Sequence, residues 1–568
     1  MAICVFAVQG WFIAGVIPLS HEELSVHPAP PSSELTIEDG VGRTVDMCAG
    51  PSRLVFTQGR PSLVLCAGGL AWPIMVMEYI GGVLYWPLQL LRPLHHGDPI
   101  ALRRTALAVG IVTLGALFLL VERLGDSRRA AATVLVAAVL PLFVILHSLL
   151  ILFETVPPLL IICATLIVAR RPDPSAPPAP ARAAAAAALV GLAVLGNVKA
   201  AVLVIPLLAF SLFESPGLRR TSARAWYAAG VAAALAVSPM VIAALADPQH
   251  RFRHQVITRV VDASARLDPR LLALEFFYLP TMTVDPRYFL DGGLWPATLL
   301  VPAAALAYSV RALIRAVRHL PHDRIAAACG ALQLFYIVFV WLAYGQSIHA
   351  NYGPLACAQA VSIGCAIAAV GRWMVQRGHS PLLGFAAVGA ITLASVVPNT
   401  YRRGNPRDLE ISNNLNAERA LGEHLRYTPG GPVAVTSYNL AGIPDALTGN
   451  SALRLDVALA SCQQQVDTET CERGVFVAAI EAVPAARFLV PLRTTPMDEP
   501  PVRRVMTTIE DAARVLGARL REEARFETSR GVPVLALFVV DRHPPDARVR
   551  AHNASVIAVA AAERLARD

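Results

Sequence analysis

TALAVGIVTLGALFLLVERLGDSRRAAATVLVAAVLPLFVILHSLLILFETVPPLLIICATLIVARR, residues 105–171, holds three apolar runs divided by two turns of opposite chemistry. The runs at 105–121, 130–149 and 154–169 are close to the length a helix needs to cross the hydrocarbon core of a bilayer. The first turn carries Arg123, Arg128 and Arg129, and Arg170 and Arg171 close the third run, whereas residues 150–153 contain no Arg or Lys. Positive residues stay on the cytoplasmic side, so this one stretch predicts spanning helices and gives them a direction.

Working outward, the pattern repeats. Runs at 3–19, 183–196, 200–213, 225–246, 293–309, 325–345, 354–371 and 381–399 bring the expected number of spans to about eleven. Arg182, then Arg219, Arg220 and Arg224, then Arg311, Arg315, Arg318 and Arg324, then Arg372 and Arg377 alternate with connections such as 346–353 that have no basic residue. This alternation places the N-terminus inside, and the loops 20–104 and 247–292 and the C-terminal part outside. The first run has no basic residues before it, which favours an anchor over a cleaved signal peptide. Lacking a charge of its own to fix its orientation, it also leaves room for residues upstream.

Composition agrees with a membrane protein: 55% hydrophobic, 16% charged and a mean hydropathy of +0.52 lie outside soluble norms. The net charge of +8 belongs mostly to arginines of the cytoplasmic connections, and no basic patch is interleaved with aromatics, so no nucleic-acid partner is expected. Nine cysteines form no CxxC or other metal-ligand spacing. Cys48 with Cys66, and Cys462 with Cys471, share segments expected outside the cytoplasm, where disulfides persist.

Residues 1–400 thus read as the membrane domain and 401–568 as a soluble one. In the latter, NNLNAERALGEHLR reads as a helix, PVAVTSY and ARFLVPL as strands, GVFVAAIEAV as a mixed segment, IEDAARVLGARLREEARF as a helix and GVPVLALFVV as a strand. Such alternation predicts a small α/β sheet domain for acceptor binding or support. No GxGxxG, Walker A or Ser-His-Asp arrangement is present. In the first loop, GLAWPIMVMEYIGGVLYWPLQLL (69–91) is apolar and aromatic but broken by Pro73, Gly81, Gly82 and Pro87. It reads as one or two helices on the outer membrane surface, with Trp72, Tyr79, Tyr85 and Trp86 at headgroup level. A re-entrant or spanning pair is the alternative.

Lys199 is the single lysine among 49 basic residues and falls in VLGNVKAAVL, at an expected outer turn. Lysine offers a compact point charge where arginine offers a planar fork, so a site that keeps Lys in an arginine-rich chain points to tight contact with a phosphate. Glu154, in HSLLILFETVPP, is an ionisable group near hydrocarbon and a functional candidate on that ground. His147 precedes it by two helical turns and shares its face if one helix continues through both.

The whole layout resembles the GT-C superfamily, membrane glycosyltransferases that draw sugars from polyprenyl-phosphate carriers. The family includes protein O-mannosyltransferases and aminoarabinose transferases. MEYIGGVLYWPLQLLRPLHHGDPIALRR (77–104) resembles the stretch leading into their second helix, and IHANYGPLACAQA (348–360) is similar to the start of a late helix. The resemblance covers roughly residues 1–400 and rests on architecture.

It implies a polytopic α-helical membrane protein with a C-terminal extracytoplasmic α/β domain. It also implies a polyprenyl-phosphate-sugar donor, and a lipid, glycan or protein acceptor on the outer face of the plasma membrane. The catalytic acid of such enzymes lies soon after the first helix. Here Glu22 and Glu23 stand there, with Asp39 and Asp46 further on and Glu154 as a second carboxylate. Lys199, His349, Tyr352 and Tyr79 are the further substrate-binding candidates. Relatives hold a divalent metal on such acids in some cases; two scattered carboxylates define no metal site here. The arginines of 247–292 read as lipid headgroup contacts as readily as substrate contacts. A lipid or polysaccharide transporter is the rival, disfavoured by the lack of matching hydropathy halves and by the long first loop. A Glu-Glu pair where the family has Asp-Glu keeps a non-catalytic cell-envelope assembly subunit as a third reading.

Overall fold

The apolar runs fold as helices because a backbone polar group inside hydrocarbon can be satisfied only by its own chain. A computed structural model describes residues 1–14, 33–35, 44–46, 51–56, 63–68, 70–77, 80–91, 99–148, 152–169, 176–246, 297–344, 355–380, 415–428, 430–436, 467–483, 487–492, 502–527 and 533–542, with single residues and short pieces between 453 and 462. In chain order the first elements are α1 (Ala2–Ala14), the strands β1 (Ser33–Leu35), β2 (Thr44–Asp46), β3 (Arg53–Phe56), β4 (Leu63–Ala67), β5 (Leu70–Met77) and β6 (Ile80–Gly81), and the short α2 (Trp86–Leu90). The bundle continues with α3 (Pro99–Leu124), α4 (Ser127–Val139), α5 (Pro141–Ser148), α6 (Leu152–Ala169), α7 (Pro180–Gly196), α8 (Ala200–Glu214), α9 (Pro216–Arg219) and α10 (Ala223–Ala246). It ends with α11 (Ala297–Val317), α12 (Arg324–Tyr344) and α13 (Ala356–Gln376). Two units result, one of Met1–Gly15, Leu54–Leu65 and Trp72–Asn405, the other of Val16–Arg53, Cys66–Ala71 and Pro406–Asp568.

The chain is a multi-pass membrane protein. Among the described residues, five helices are long and apolar enough to cross a bilayer, and α4 with α5, bent by 70°, makes a sixth if counted as one span. That is fewer than the eleven runs in the sequence. α7 and α8 have 17 and 15 residues, short of the roughly 20 that a straight crossing needs, and the run at 381–399 lies outside the described residues. Helices approach closely where small residues allow it. A side chain at Gly330 on α12 would strike the Ser309 backbone of α11, and one at Gly191 on α7 would strike Ala233 and Ala236 of α10. Between α11, α12 and α13, Ser309 Oγ donates to Ser362 Oγ at 3.1 Å and Gln333 Nε2 donates to the same oxygen at 2.8 Å.

One end of the bundle is laced by ion pairs. Asp126 caps α4, accepting from Arg129 N at 2.8 Å, while the Arg129 guanidinium meets Asp323 at 3.1 Å and Arg372 reaches Asp126 at 3.5 Å. Glu214, the last residue of α8, meets His322 and Arg324 at 3.3 Å, and Arg123 Nε donates to Ala169 O at 3.4 Å. The C-terminal ends of α3, α6, α8 and α11 and the starts of α4 and α12 therefore lie on one face. Because α6 and α8 each traverse the bundle in one direction, their first residues lie on the opposite face.

The first loop departs from the expected surface helices. β3 to β6 form a four-stranded sheet, and among the described residues of 69–91 Val83–Tyr85 and α2 are the helical ones. Pro73 removes a donor and Gly81-Gly82 weakens a helix, while the aromatic and β-branched content of 70–77 suits a strand. Met75 and Leu63 pack with Leu195 of α7 and Met240 of α10, and Trp86 Nε1 donates to Pro73 O at 2.8 Å. Cys66 is disulfide-bonded, and Cys48 lies outside the described residues.

In the second unit, α14 (Leu415–Tyr427), β7 (Val433–Val435), β8 (Leu453–Arg454), α15 (Thr468–Ala482), β9 (Arg487–Pro491), α16 (Val502–Val515), β10 (Ala518–Glu527) and β11 (Pro533–Arg542) build a five-stranded sheet of order β10-β11-β9-β7-β8. β7 runs parallel to β8 and β9, and β11 antiparallel to β9 and β10. Phe476, Ile480, Phe488, Val490 and Ile509 join the two helices to the sheet in one buried core. Buried Arg487 ties β9 to the chain before β7 through Gly431 O at 2.9 Å and to Glu523 at 3.5 Å. The Cys462–Cys471 disulfide is formed, with Cα atoms 5.5 Å apart. Asp467 caps α15, and hydrogen bonds from the Thr470 side chain and backbone hold its carboxyl below the usual range. The sequence expectation of one helix across IEDAARVLGARLREEARF fails after Val515: Gly517, at φ +66°, ends α16, and REEARF belongs to β10.

Candidate functional site

The turn between α7 and α8 is made by one side chain. Asn197, 1% exposed, is extended (φ −158°, ψ 122°) and ends α7; its Oδ1 accepts from Lys199 N at 3.0 Å, so the chain turns within two residues before α8 begins. The same amide donates from Nδ2 to Phe153 O at 3.2 Å and to Glu154 Oε1 at 3.3 Å. A single asparagine thus sets the bend and fastens it to the first turn of α6.

Lys199 Nζ lies 3.4 Å from Glu154 Oε1, with both side chains nearly sequestered at 11% and 6% exposure. The two halves of this pair sit differently on their helices. Glu154 occupies the first turn of α6, where the positive end of the helix dipole favours an anion. Lys199 is the N-cap of α8 and makes no side-chain cap, so a cation stands where the dipole disfavours it. Glu154 offsets that cost, and local stability alone gives no reason for the lysine. Both residues occupy the face opposite the ion-pair lacing of the bundle.

The first loop reaches this turn. Tyr85, 1% exposed, accepts a hydrogen bond from Phe153 N at 3.4 Å. Gly81 abuts the Leu195 carbonyl and Gly196 the Leu84 side chain so closely that a Cβ at either position would collide. Leu355, which opens α13, is buried in one cluster with Ala193 and Ala200 on either side of the Asn197 turn. On the same face, the buried Arg103 of α3 donates from Nη1 to Ala14 O at the end of α1 at 3.2 Å.

Of the residues singled out from sequence, Glu154 and Lys199 are brought together. Glu22, Glu23, Asp39, Tyr79, His349 and Tyr352 lie outside the described residues, and Asp46 ends β2, opposite Ser33. His147 does not extend the helix of Glu154: α5 ends at Ser148 and α6 opens at Leu152. Its Nδ1 is bound to Phe143 O at 2.8 Å and its ring lies 4.1 Å from that of Phe143, a packing role. Sequence reading missed Asn197, although an Asn between two apolar runs is a helix-stop signal, and Arg103, whose place at the start of a span was its only mark.

Among the described residues no three His, Cys, Asp or Glu side chains converge to hold a metal. Glu154 already carries an ammonium, so the described residues do not fit a divalent cation.

Replacing Asn197 by alanine should remove the bend and the donor to Glu154 together. About 1–3 kcal/mol of local stability is at stake, read as a lower melting temperature in detergent. Asn197→Asp places a second carboxylate against Glu154 and should be worse.

A family model for dolichyl-phosphate-mannose-protein mannosyltransferase matches residues 82–242, which include Tyr85, Glu154, Asn197 and Lys199. Among solved structures, ArnT from Cupriavidus metallidurans bound to undecaprenyl phosphate superposes with a TM-score of 0.55 at 14% identity, covering 94% of this chain and 97% of that one. The oligosaccharyltransferase AglB from Archaeoglobus fulgidus, in complex with an inhibitory peptide and a dolichol-phosphate, does so with a TM-score of 0.53 at 12% identity, covering 96% and 74%. No curated protein matches the sequence.

Proposed function

For a chain with the fold of the GT-C membrane glycosyltransferases, we propose a transferase that moves a sugar from a polyprenyl-phosphate donor to an acceptor hydroxyl on the outer face of the cytoplasmic membrane. The observation that carries this reading is the buried Lys199–Glu154 pair at the Asn197 turn. The acceptor oxygen attacks the anomeric carbon, a new glycosidic C–O bond forms, and the anomeric bond to phosphate oxygen breaks with its electron pair. The acceptor proton passes to a first-loop carboxylate, Glu22 or Glu23. Negative charge grows on the departing polyprenyl phosphate, and the Lys199 ammonium steadies it as a point charge that Glu154 and Asn197 hold in place.

His349 and Tyr352 donate to the same leaving oxygen. The burial of Leu355 against the Asn197 turn supports that placement. In this reading Tyr79, Asp39 and Asp46 supply the sugar-facing side, and the docking of Gly81 and Tyr85 against the Asn197 turn supports the reach of Tyr79. On the same reading the arginine-rich helix ends are cytoplasmic and the pair lies outside, which the ion pairs of that end support, and the C-terminal α/β domain is taken as extracytoplasmic. In that reading the domain, with residues 401–568 as its extent, binds or positions the acceptor.

Membranes containing the chain, incubated with a panel of labelled polyprenyl-phosphate sugars, should transfer label from one of them to an endogenous acceptor and release polyprenyl phosphate. Movement of intact donor across the bilayer without sugar release would instead identify a flippase.

A further inference from the structure

Along α11, with Leu334 of α12 across from it, runs an open groove of about 720 Å³, on the opposite end of the bundle from Lys199. Its walls are apolar for most of their length, with Ala303, Ala307 and Val310 on one side and Leu334 on the other. At its end stand Arg311, Arg315 and Arg318, spaced four and three residues apart and so on one helix face. Among the described residues none of the three meets a carboxylate, and the one bond in place is Arg315 Nε donating to Pro321 O at 2.7 Å. Three other arginines of this face, Arg129, Arg324 and Arg372, are paired with Asp or Glu.

We infer that this groove is a binding site for one acidic phospholipid of the leaflet on the arginine face. Its acyl chain lies along Ala303–Val310, and its phosphate is held by Arg311, Arg315 and Arg318. Length and charge both point to that occupant. The apolar stretch from Ala303 to Val310 rises about 10 Å along a helix, which fits within one leaflet of the roughly 30 Å hydrocarbon core. Three arginines at the mouth of an apolar cleft complement an anionic headgroup, whereas a zwitterionic one brings its own cation. The site is independent of the sugar-transfer reading and shares no residue with it.

Native mass spectrometry of the purified full-length chain, titrated with phosphatidylglycerol and with phosphatidylcholine, tests the inference. The wild type should retain one phosphatidylglycerol at least tenfold more tightly than phosphatidylcholine. R311Q/R315Q/R318Q should lose that preference, whereas R219Q/R220Q/R224Q, which removes equal charge elsewhere, should keep it. Ala307→Trp, which fills the cleft and leaves every arginine, should also weaken retention at least tenfold. Equal losses in the two triple variants, or unchanged binding in Ala307→Trp, would reduce the arginines to diffuse headgroup contacts and overturn the site. Equal competition by inorganic phosphate would overturn it as well.

Discussion

Lys199→Arg should lose sugar transfer by about 10²- to 10³-fold, the range seen when one group stabilising transition-state charge is displaced, while the protein accumulates in membranes as before. The variant keeps the charge and so keeps a partner for Glu154. What it changes is shape: a planar fork replaces a compact ammonium in a space only 11% open, and its charge comes to rest elsewhere. Lys199→Ala is a poorer test, since stripping one partner from a buried pair costs about 3–5 kcal/mol and confounds folding with function. The double variant E154Q/K199M separates the two. It leaves no buried charge, so it should fold and melt near the wild type, yet it has nothing to offer a phosphate. Retained activity in either variant would reduce the pair to a structural tie.

Gly81→Val should have the second largest effect. The new side chain would enter the Leu195 carbonyl, and backbone yields less readily than a flexible side chain, so the first loop must lift away from the α7–α8 turn. Overpacking of this kind costs about 1–3 kcal/mol. Its functional cost is larger: displacing the loop by about 1 Å relative to Lys199 is enough for a loss of about 10²-fold in a positioned reaction. A melting temperature and an activity measured on the same preparation give both figures. Gly230→Ala on α10 is the control, because a Cβ there meets nothing within 4 Å. It should leave activity unchanged.

The bundle was legible because hydrocarbon imposes one rule, and runs of Leu, Val and Ala leave the backbone no choice but helix. The pairing of Glu154 with Lys199 was legible only as far as their sharing a face, since the arginine pattern gives sides but no distances. What joined them was Asn197, two of whose three hydrogen bonds reach Phe153 and Glu154 and so depend on α6 lying beside α7, a tertiary fact that no local pattern carries. The first loop was misread for a related reason. The aromatic, apolar run suggested a membrane-surface helix, although Pro73 and the paired glycines already weighed against one, and the packing of Met75 and Leu63 on α7 and α10 goes with strand. In the C-terminal unit, Ala, Glu and Arg carried a helix reading past Gly517, which sheet pairing with β11 overrode.

Sugar transfer by this route requires the Lys199 ammonium to bind the phosphate of a polyprenyl carrier. Polyprenyl phosphate itself, whatever sugar it once bore, should bind the purified wild type and bind E154Q/K199M at least tenfold more weakly at unchanged melting temperature. Equal affinity in the two proteins would place the carrier phosphate elsewhere and contradict the proposal.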